Sequence, residues 1–196
     1  MTQEEMIKAS SDPEFLKYLT EREKGVLESK NISGLYEVLD MLLILDLEET
    51  RINKIYETIL SVAFEGIESR LKSGIKLKLD DKNSEDKFYI RAFYEHSIEK
   101  WSRDDTKGAK ELFFVLSQII EDEKLLRAVN IKLLACNNNE DMEDFYENKL
   151  SHQEKVEDEL YAYFLVDFTF DTQKYLTNNQ NKLKEIYKEL KSLITV

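Results

Sequence analysis

The sequence predicts an all-α protein, a single-domain bundle of about seven or eight helices with one short extended segment or small hairpin near residues 75–90. One proline and five glycines occur in the whole chain, and neither type follows Gly108. A β-rich fold needs such turn residues at short, regular intervals. Long stretches instead repeat apolar residues every three or four positions, which is the spacing of one helix face. With 196 residues, the chain is long enough to bury a core of its own.

Three helices are predicted in the N-terminal third. The first has Ser11 or Asp12 as its cap and Pro13 at its first position, where the missing N–H of proline costs nothing. The second follows Gly34, and the third follows Thr50. The apolar stripe of the third helix covers about five turns and comprises Ile52, Ile55, Tyr56, Ile59, Val62, Ala63, Ile67 and Leu71.

Residues 75–79 interrupt the helical pattern, because apolar and lysine side chains alternate there as in a short, half-buried strand. A polar loop follows at 80–86, and it is the alternative boundary if the single domain spanning 1–196 is divided. The one obvious strand partner is 88–90. A small hairpin and an extended connector packed on helices therefore both remain open.

Helical periodicity then resumes and continues towards the C-terminus. After a polar break, Asp105 or Thr106 can cap a helix with a strong apolar stripe. A further helix is predicted from about residue 140 through residue 174, with a break near Ser151 as an alternative. The last predicted helix has its apolar stripe within 183–194.

Acidic residues exceed basic ones by 40 to 28, so the formal net charge is −12 and the isoelectric point lies near 4.8. Such a surface repels nucleic-acid phosphates and anionic lipid head groups. The lysine-rich stretches 72–78 and 182–191 are interleaved with other residues, unlike a phosphate-binding groove. We therefore expect no nucleic-acid or membrane binding, and a protein partner that is more basic than this chain.

Cys136 is the only cysteine, so no intrachain disulfide can form, which is typical of a reducing compartment. Residues 1–8 contain two glutamates and lack the apolar core of a signal peptide. The longest apolar run, 160–166, is far shorter than a membrane span. These features predict a cytoplasmic protein.

The sequence lacks the usual catalytic motifs. It has no glycine-rich phosphate loop and no Gly-x-Ser-x-Gly nucleophile. His96 and His152 do not belong to Glu-x-x-His pairs, and zinc sites usually need more His and Cys than the chain contains. Cys136 lies on an apolar helix stripe, which favours a buried structural role. No cofactor is therefore expected.

Two carboxylates, Asp167 and Asp171, stand out because the segment around them, 160–170, is otherwise almost wholly apolar. In a helix they would lie four residues apart on the apolar stripe. Buried carboxylates must be paired, hydrogen-bonded or metal-bound. The two residues are therefore candidates for Mg²⁺ binding or acid–base catalysis, and the structural alternative is that they bond tyrosine hydroxyls, lysines or a helix end.

A second carboxylate set in part resembles the metal site of the all-α nucleoside triphosphate pyrophosphohydrolases, which has Glu-x-x-Glu on one helix and Glu-x-x-Asp on a later one. Glu65 and Glu68 have the first spacing. Glu95 and Glu99 follow on a later helix, but they are one residue too far apart and end in Glu. The resemblance implies a carboxylate-dependent Mg²⁺ enzyme, which we treat as the alternative function.

Aromatic residues make up 11% of the chain and cluster at 88–101 and 161–170. Core packing accounts for most of them, but rings beside acidic helices also form partner-binding grooves. Trp101 is the first candidate, as a semi-exposed anchor, and the full candidate set is Trp101, Tyr94, Phe93 and His96. The predicted function is a non-enzymatic protein–protein interaction module: an adaptor, an export or secretion chaperone, or an immunity or inhibitor protein. A homodimer is compatible with such a surface.

Overall fold

The computed structural model describes residues 12–79, 85–151 and 159–194. Within these ranges the chain forms nine α-helices, two short 3₁₀ helices and no strands. The helices are α1 (Pro13–Ser29), α2 (Ile32–Ile44), α3 (Glu49–Ser73), α4 (Asp86–Ser102), α5 (Thr106–Ile119), α6 (Glu123–Asn137), α7 (Met142–Lys149), α8 (Thr172–Asn178) and α9 (Gln180–Leu190), and the 3₁₀ helices are Glu159–Tyr161 and Lys191–Ile194. The predicted all-α fold class is confirmed.

Short polar side chains start most of these helices. Each accepts a hydrogen bond from a backbone N–H that the first turn leaves without an intrahelical partner. The residues that cap in this way are Asp12, Asn31, Asp105, Asp122, Asp141 and Asp171. Asparagine also takes a turn position that usually favours glycine. Asn139, between α6 and α7, has a φ of 53°, a left-handed conformation that asparagine tolerates. Aspartate and asparagine thus turn the chain where glycine and proline are missing.

The chain divides into two compact units, residues 1–67 and residues 68–196. The first unit contains α1, α2 and most of α3. Its core is apolar and includes Leu19, Val26, Leu35, Leu42, Ile55 and Ile59. A Cβ atom added to Gly34 would lie 2.9 Å from Cγ1 of Val26, so the glycine allows α1 and α2 to approach closely. Arg51 of α3 pairs with Glu23 of α1 at 2.6 Å.

The second unit is built around α4, α5 and α6, which pack against one another. Its core is rich in aromatic and aliphatic side chains, among them Tyr94, Trp101, Phe113, Phe114, Leu116, Val129 and Leu133. Helix α9 packs against α5 and α6, and the hydroxyl of Tyr187 donates a 2.7 Å hydrogen bond to Oδ1 of Asn130. The predicted single domain and its alternative boundary at 80–86 both stay predictions, and residues 80–84 lie outside the described chain.

The extended segment predicted near residue 75 is present, but it does not form a hairpin. Leu77 is fully buried and pairs in parallel with Ile120, and its N–H donates to the carbonyl of Ile119 at 2.6 Å. The expected strand partner, 88–90, lies in α4. Ile75 is 59% exposed and Leu79 is half-buried, so Leu77 is the one fully buried apolar residue of the alternating pattern. The segment is therefore an extended connector packed on helices.

The single long helix predicted over residues 140–174 is wrong. Helix α7 ends at Lys149, and Leu150 then pairs in antiparallel fashion with Phe168. The backbone N–H of Ser151 donates to the carbonyl of Asp167 at 3.0 Å. Residues 159–171, called the strap below, carry one 3₁₀ turn and otherwise irregular backbone. The alternative break near Ser151 is close to the observed end of α7, and residues 152–158 lie outside the described chain.

Asp122 joins the strap to the start of α6. Its Oδ1 accepts a 2.7 Å hydrogen bond from the N–H of Leu125 as the helix cap, and its Oδ2 accepts a 2.9 Å bond from the hydroxyl of Tyr161. We expect Asp122→Ala to lower the free energy of unfolding by about 1–3 kcal/mol, since it removes a cap and one further bond. Urea unfolding followed by circular dichroism measures this loss. Asp122→Asn, which can still cap, should lose less, and equal losses in the two variants would contradict the expectation.

No helix in the described ranges is both long and apolar enough to cross a bilayer.

Candidate functional site

Trp101 is buried, so its predicted role as a semi-exposed anchor is wrong. Its side chain is 1% exposed. The indole ring lies 4.8 Å from the ring of Phe145 on α7 and 6.2 Å from that of Phe113 on α5, measured between centroids. Its Nε1–H donates a 2.8 Å hydrogen bond to the carbonyl of Glu140. The physical reason is that α7 covers this end of α4, and the indole fills the space beneath it.

The other predicted contact residues are also held largely inside the second unit. Phe93 and Tyr94 are both buried, and the ring of Tyr94 packs edge-on against Phe113 and Phe164. These rings belong to the core because α5 and the strap cover them. His96 is half-buried, with Nδ1 3.1 Å from a carboxylate oxygen of Glu99. A role of His96 in partner binding stays a prediction.

The structure does not place Asp167 and Asp171 on one helix stripe. Asp167 lies in the strap, is exposed, and pairs with Lys124 at 2.9 Å. Asp171 is exposed and caps α8 by accepting a 2.9 Å hydrogen bond from the N–H of Lys174. The interpretation as buried carboxylates is therefore corrected, because the backbone leaves the helical conformation after α7. A lysine and a helix end are the partners that the structural alternative named.

The second predicted carboxylate pair, Glu65 and Glu68, is exposed on α3. Glu68 pairs with Lys72 one turn later, with 2.6 Å between Nζ and the carboxylate oxygen. In the parts of the chain that the structure describes, no three His, Cys, Asp or Glu side chains are grouped so that they could hold a metal ion. The predicted Mg²⁺ ligands thus remain separate surface or capping residues.

Helix α7 presents a different arrangement from the sites predicted above. Asp141 caps the helix, accepting a 2.9 Å hydrogen bond from the N–H of Asp144. Phe145 points inward and is buried against Trp101, whereas the adjacent Tyr146 is 42% exposed. We call the exposed face of this helix the α7 surface, and it consists of Asp141, Glu143, Asp144, Tyr146 and Glu147.

The α7 surface is strongly acidic. Residues 140–149 contain five acidic residues and one basic residue, and that lysine, Lys149, pairs with Glu140 at 2.6 Å. Carboxylates in the first turn also interact favourably with the helix dipole, which helps α7 to tolerate the charge density. The sequence contains a signal that Tyr146 is exposed. Tyr146 follows Phe145 directly, and adjacent side chains on a helix point about 100° apart. If one ring faces the core, its neighbour faces away from it.

A pocket of about 140 Å³ lies between α4 and the strap. Its walls include two basic side chains, Lys87 and Arg91. The guanidinium of Arg91 is bonded to Glu95 at 2.7 Å and stacks 3.9 Å from the centroid of Tyr163, so the charge of the arginine is already neutralised. The acidic Glu159 also lines the pocket and offsets the charge of Lys87, so the lining has no surplus of positive charge for an anion.

Lys132 of α6 is a second feature that sequence reasoning missed. Its side chain is fully buried, and Nζ donates a 2.5 Å hydrogen bond to the carbonyl of Leu165. Burial lowers the pKa of this amine to about 7, because a charged ammonium loses its hydration there. A lysine within the apolar run from Ile131 to Leu134 was the available signal.

Cys136 lies one turn after Lys132 and is buried, as predicted. Burial raises the pKa of its thiol to about 12. The side chain is thus a protonated thiol at neutral pH, and a thiol in that form is a poor nucleophile. This environment supports the structural role predicted for it.

No family model matches the chain, and neither a curated protein nor a solved structure matches it significantly.

Proposed function

We propose that this protein is a non-enzymatic protein–protein interaction module that binds a more basic protein partner through the α7 surface. The observation that supports the proposal best is the placement of Tyr146, a 42% exposed aromatic ring amid four exposed carboxylates on one helix. An adaptor, an export or secretion chaperone, and an immunity or inhibitor protein are the roles compatible with such binding.

The two kinds of side chain have different tasks in this proposal. The carboxylates attract a basic partner over a distance and raise the association rate. The ring of Tyr146 supplies apolar contact area together with a hydroxyl group, a combination enriched at the centres of protein interfaces. Charge therefore governs how fast the partner arrives, and the ring governs how long it stays.

The buried Trp101 supports the proposed binding surface indirectly. Its indole packs on Phe145 and bonds to the carbonyl of Glu140, next to the first turn of α7. These contacts hold α7 in place before any partner arrives. A rigid helix loses little conformational entropy on binding, so more of the contact energy appears as affinity. Trp101 is then a support for the surface and does not itself contact the partner.

We expect Tyr146→Ala to weaken partner binding by about 10- to 100-fold, chiefly by faster dissociation. The partner is first captured from native cells with the tagged full chain and identified by mass spectrometry. Its Kd and rate constants are then measured by surface plasmon resonance for the wild type and the variant. Tyr163→Ala is the matched control, because Tyr163 is 46% exposed but lies on the strap.

The charge component is tested separately with the double variant Glu143→Gln and Asp144→Asn. We expect it to slow association several-fold at low salt, and the difference should vanish at about 0.5 M salt, where screening is strong. Unchanged binding by both the tyrosine variant and the charge variant would refute the proposed surface. Equal weakening by Tyr163→Ala would move the binding site away from α7.

A further inference from the structure

Among the contacts that hold the strap to the helices, the backbone of Leu165 bonds to two buried side chains. The N–H of Leu165 donates a 2.9 Å hydrogen bond to the hydroxyl of Tyr94 on α4. Its carbonyl accepts the 2.5 Å bond from Nζ of Lys132 on α6. Both backbone polar groups of Leu165 are thus satisfied by buried side chains from two helices, and both bonds must break if the strap leaves the surface.

None of the residues that the structure describes supplies an anion to Lys132. Its Nζ lies 5.5 Å from the ring centroid of Tyr94 and 5.0 Å from that of Phe168, and it forms no ion pair with a described carboxylate. The titratable groups that face it are Tyr94 and, from its own helix, Cys136. Burial raises the pKa of the Tyr94 hydroxyl, and that of the Cys136 thiol to about 12, so both are neutral near neutral pH.

On the other elements packed on α6, no described carboxylate pairs with Lys132. Helix α8 carries Lys174, which is exposed, and Tyr175, whose ring packs against Phe170. On α5, Lys110 pairs with Glu189 at 2.9 Å. The carboxylate of the strap itself, Asp167, pairs with Lys124. Within the described ranges, a charged Lys132 is therefore stabilised by one carbonyl and two ring faces.

We propose that the strap is a proton-sensitive latch, in which charging of the Lys132 amine loosens residues 159–171 from α4 and α6. A neutral amine can donate to the Leu165 carbonyl at little cost. A buried ammonium without an anion is costly, and the ring faces offset only part of that cost. Opening of the strap admits water to the ammonium, so protonation favours the open state. Opening also exposes Phe164, Val166 and the ring of Tyr94.

The linkage between protonation and strap opening gives the direction of the pH dependence and the pH range in which it occurs. With the strap closed, the pKa of Lys132 is about 7, and with the strap open it returns towards the ordinary value of about 10.4. The open state therefore binds more protons between these two values. Opening increases as the pH falls through this range, by at most tenfold per unit, and levels off below the lower value. Between about pH 9 and pH 7 the expected increase is about fifty-fold.

Hydrogen exchange of the full chain, read by mass spectrometry, tests the latch. After correction for the intrinsic exchange rate, protection of peptides covering 159–171 should fall about fifty-fold from about pH 9 to pH 7. Peptides from α5 report global unfolding, which also frees Lys132 and so has the same pH dependence. Strap opening is local if the strap peptides are less protected than the α5 peptides at each pH. Strap protection that does not change across this range, or that equals the protection of α5 at every pH, would overturn the proposal.

Lys132→Met removes the amine and keeps an unbranched side chain of similar length. In this variant strap protection should no longer depend on pH in that range. Lys124→Met is the control, because Lys124 also holds the strap but is paired and partly exposed, and it should lower protection at every pH without removing the dependence. A pH dependence that survives in Lys132→Met would equally refute the latch. If that variant does not fold, the wild-type experiment still decides.

Discussion

Replacing Trp101 with alanine is expected to lower the free energy of unfolding by about 3–5 kcal/mol, the range for truncating a large buried aromatic side chain. The indole is 1% exposed and packs between Phe113 and Phe145. The substitution leaves a cavity beneath α7 and takes the donor away from the carbonyl of Glu140. Guanidinium unfolding at fixed temperature, followed by circular dichroism, measures the change.

Two further variants separate the parts of this effect. Trp101→Phe keeps a ring but loses the Nε1–H donor, and it should cost less than the alanine variant because the cavity is smaller. Tyr146→Ala, on the exposed face of α7, should change the free energy of unfolding by no more than about 1 kcal/mol. If Trp101→Ala were as mild as Tyr146→Ala, the indole would not be the support that we describe.

The second large effect is a rise in stability with pH above neutrality. Burial lowers the pKa of Lys132 to about 7 in the folded chain, whereas an unfolded chain holds the lysine proton up to about pH 10.4. The unfolded state therefore binds more protons in this range, and the free energy of unfolding increases with pH. Linkage gives about 2 kcal/mol between about pH 7 and pH 9.

At higher pH the sign reverses. Burial raises the pKa of Tyr94 and raises that of Cys136 to about 12, so above about pH 9 the unfolded chain loses protons that the folded chain retains. Stability should then fall, which places its maximum near about pH 9. Chemical unfolding at a series of pH values measures the profile. Lys132→Met should abolish the rise, and a rise that persists in that variant would assign it to another group.

Local sequence signals predicted the helices well, because a helix start depends on residues within one turn. Asp12 followed by Pro13 begins α1 as expected, and Asp105 caps α5 by accepting from the N–H of Gly108. Apolar stripes at helical spacing likewise identified the inward faces of α3 and α5. The acidic composition, from which the partner's charge was inferred, is a property of the sequence alone.

The strap could not be predicted in the same way. Its apolar run fits a helix when considered locally. The backbone instead leaves the helical conformation because Phe168 pairs with Leu150, and Tyr94 and Lys132 bond to Leu165 from positions 71 and 33 residues away in the sequence. Contacts at such separations outweigh weak local preference.

The sequence by itself determined that this chain is helical, acidic and nearly without glycine and proline. Only the tertiary structure decided that Trp101 lies beneath α7, that Tyr146 lies on its surface, and that Lys132 is buried with its amine bonded to a backbone carbonyl. The reason is that helix periodicity ranks the faces of one helix, whereas burial depends on which other elements cover each face. Which of several aromatic residues on neighbouring helices becomes buried is therefore set by packing between distant parts of the chain.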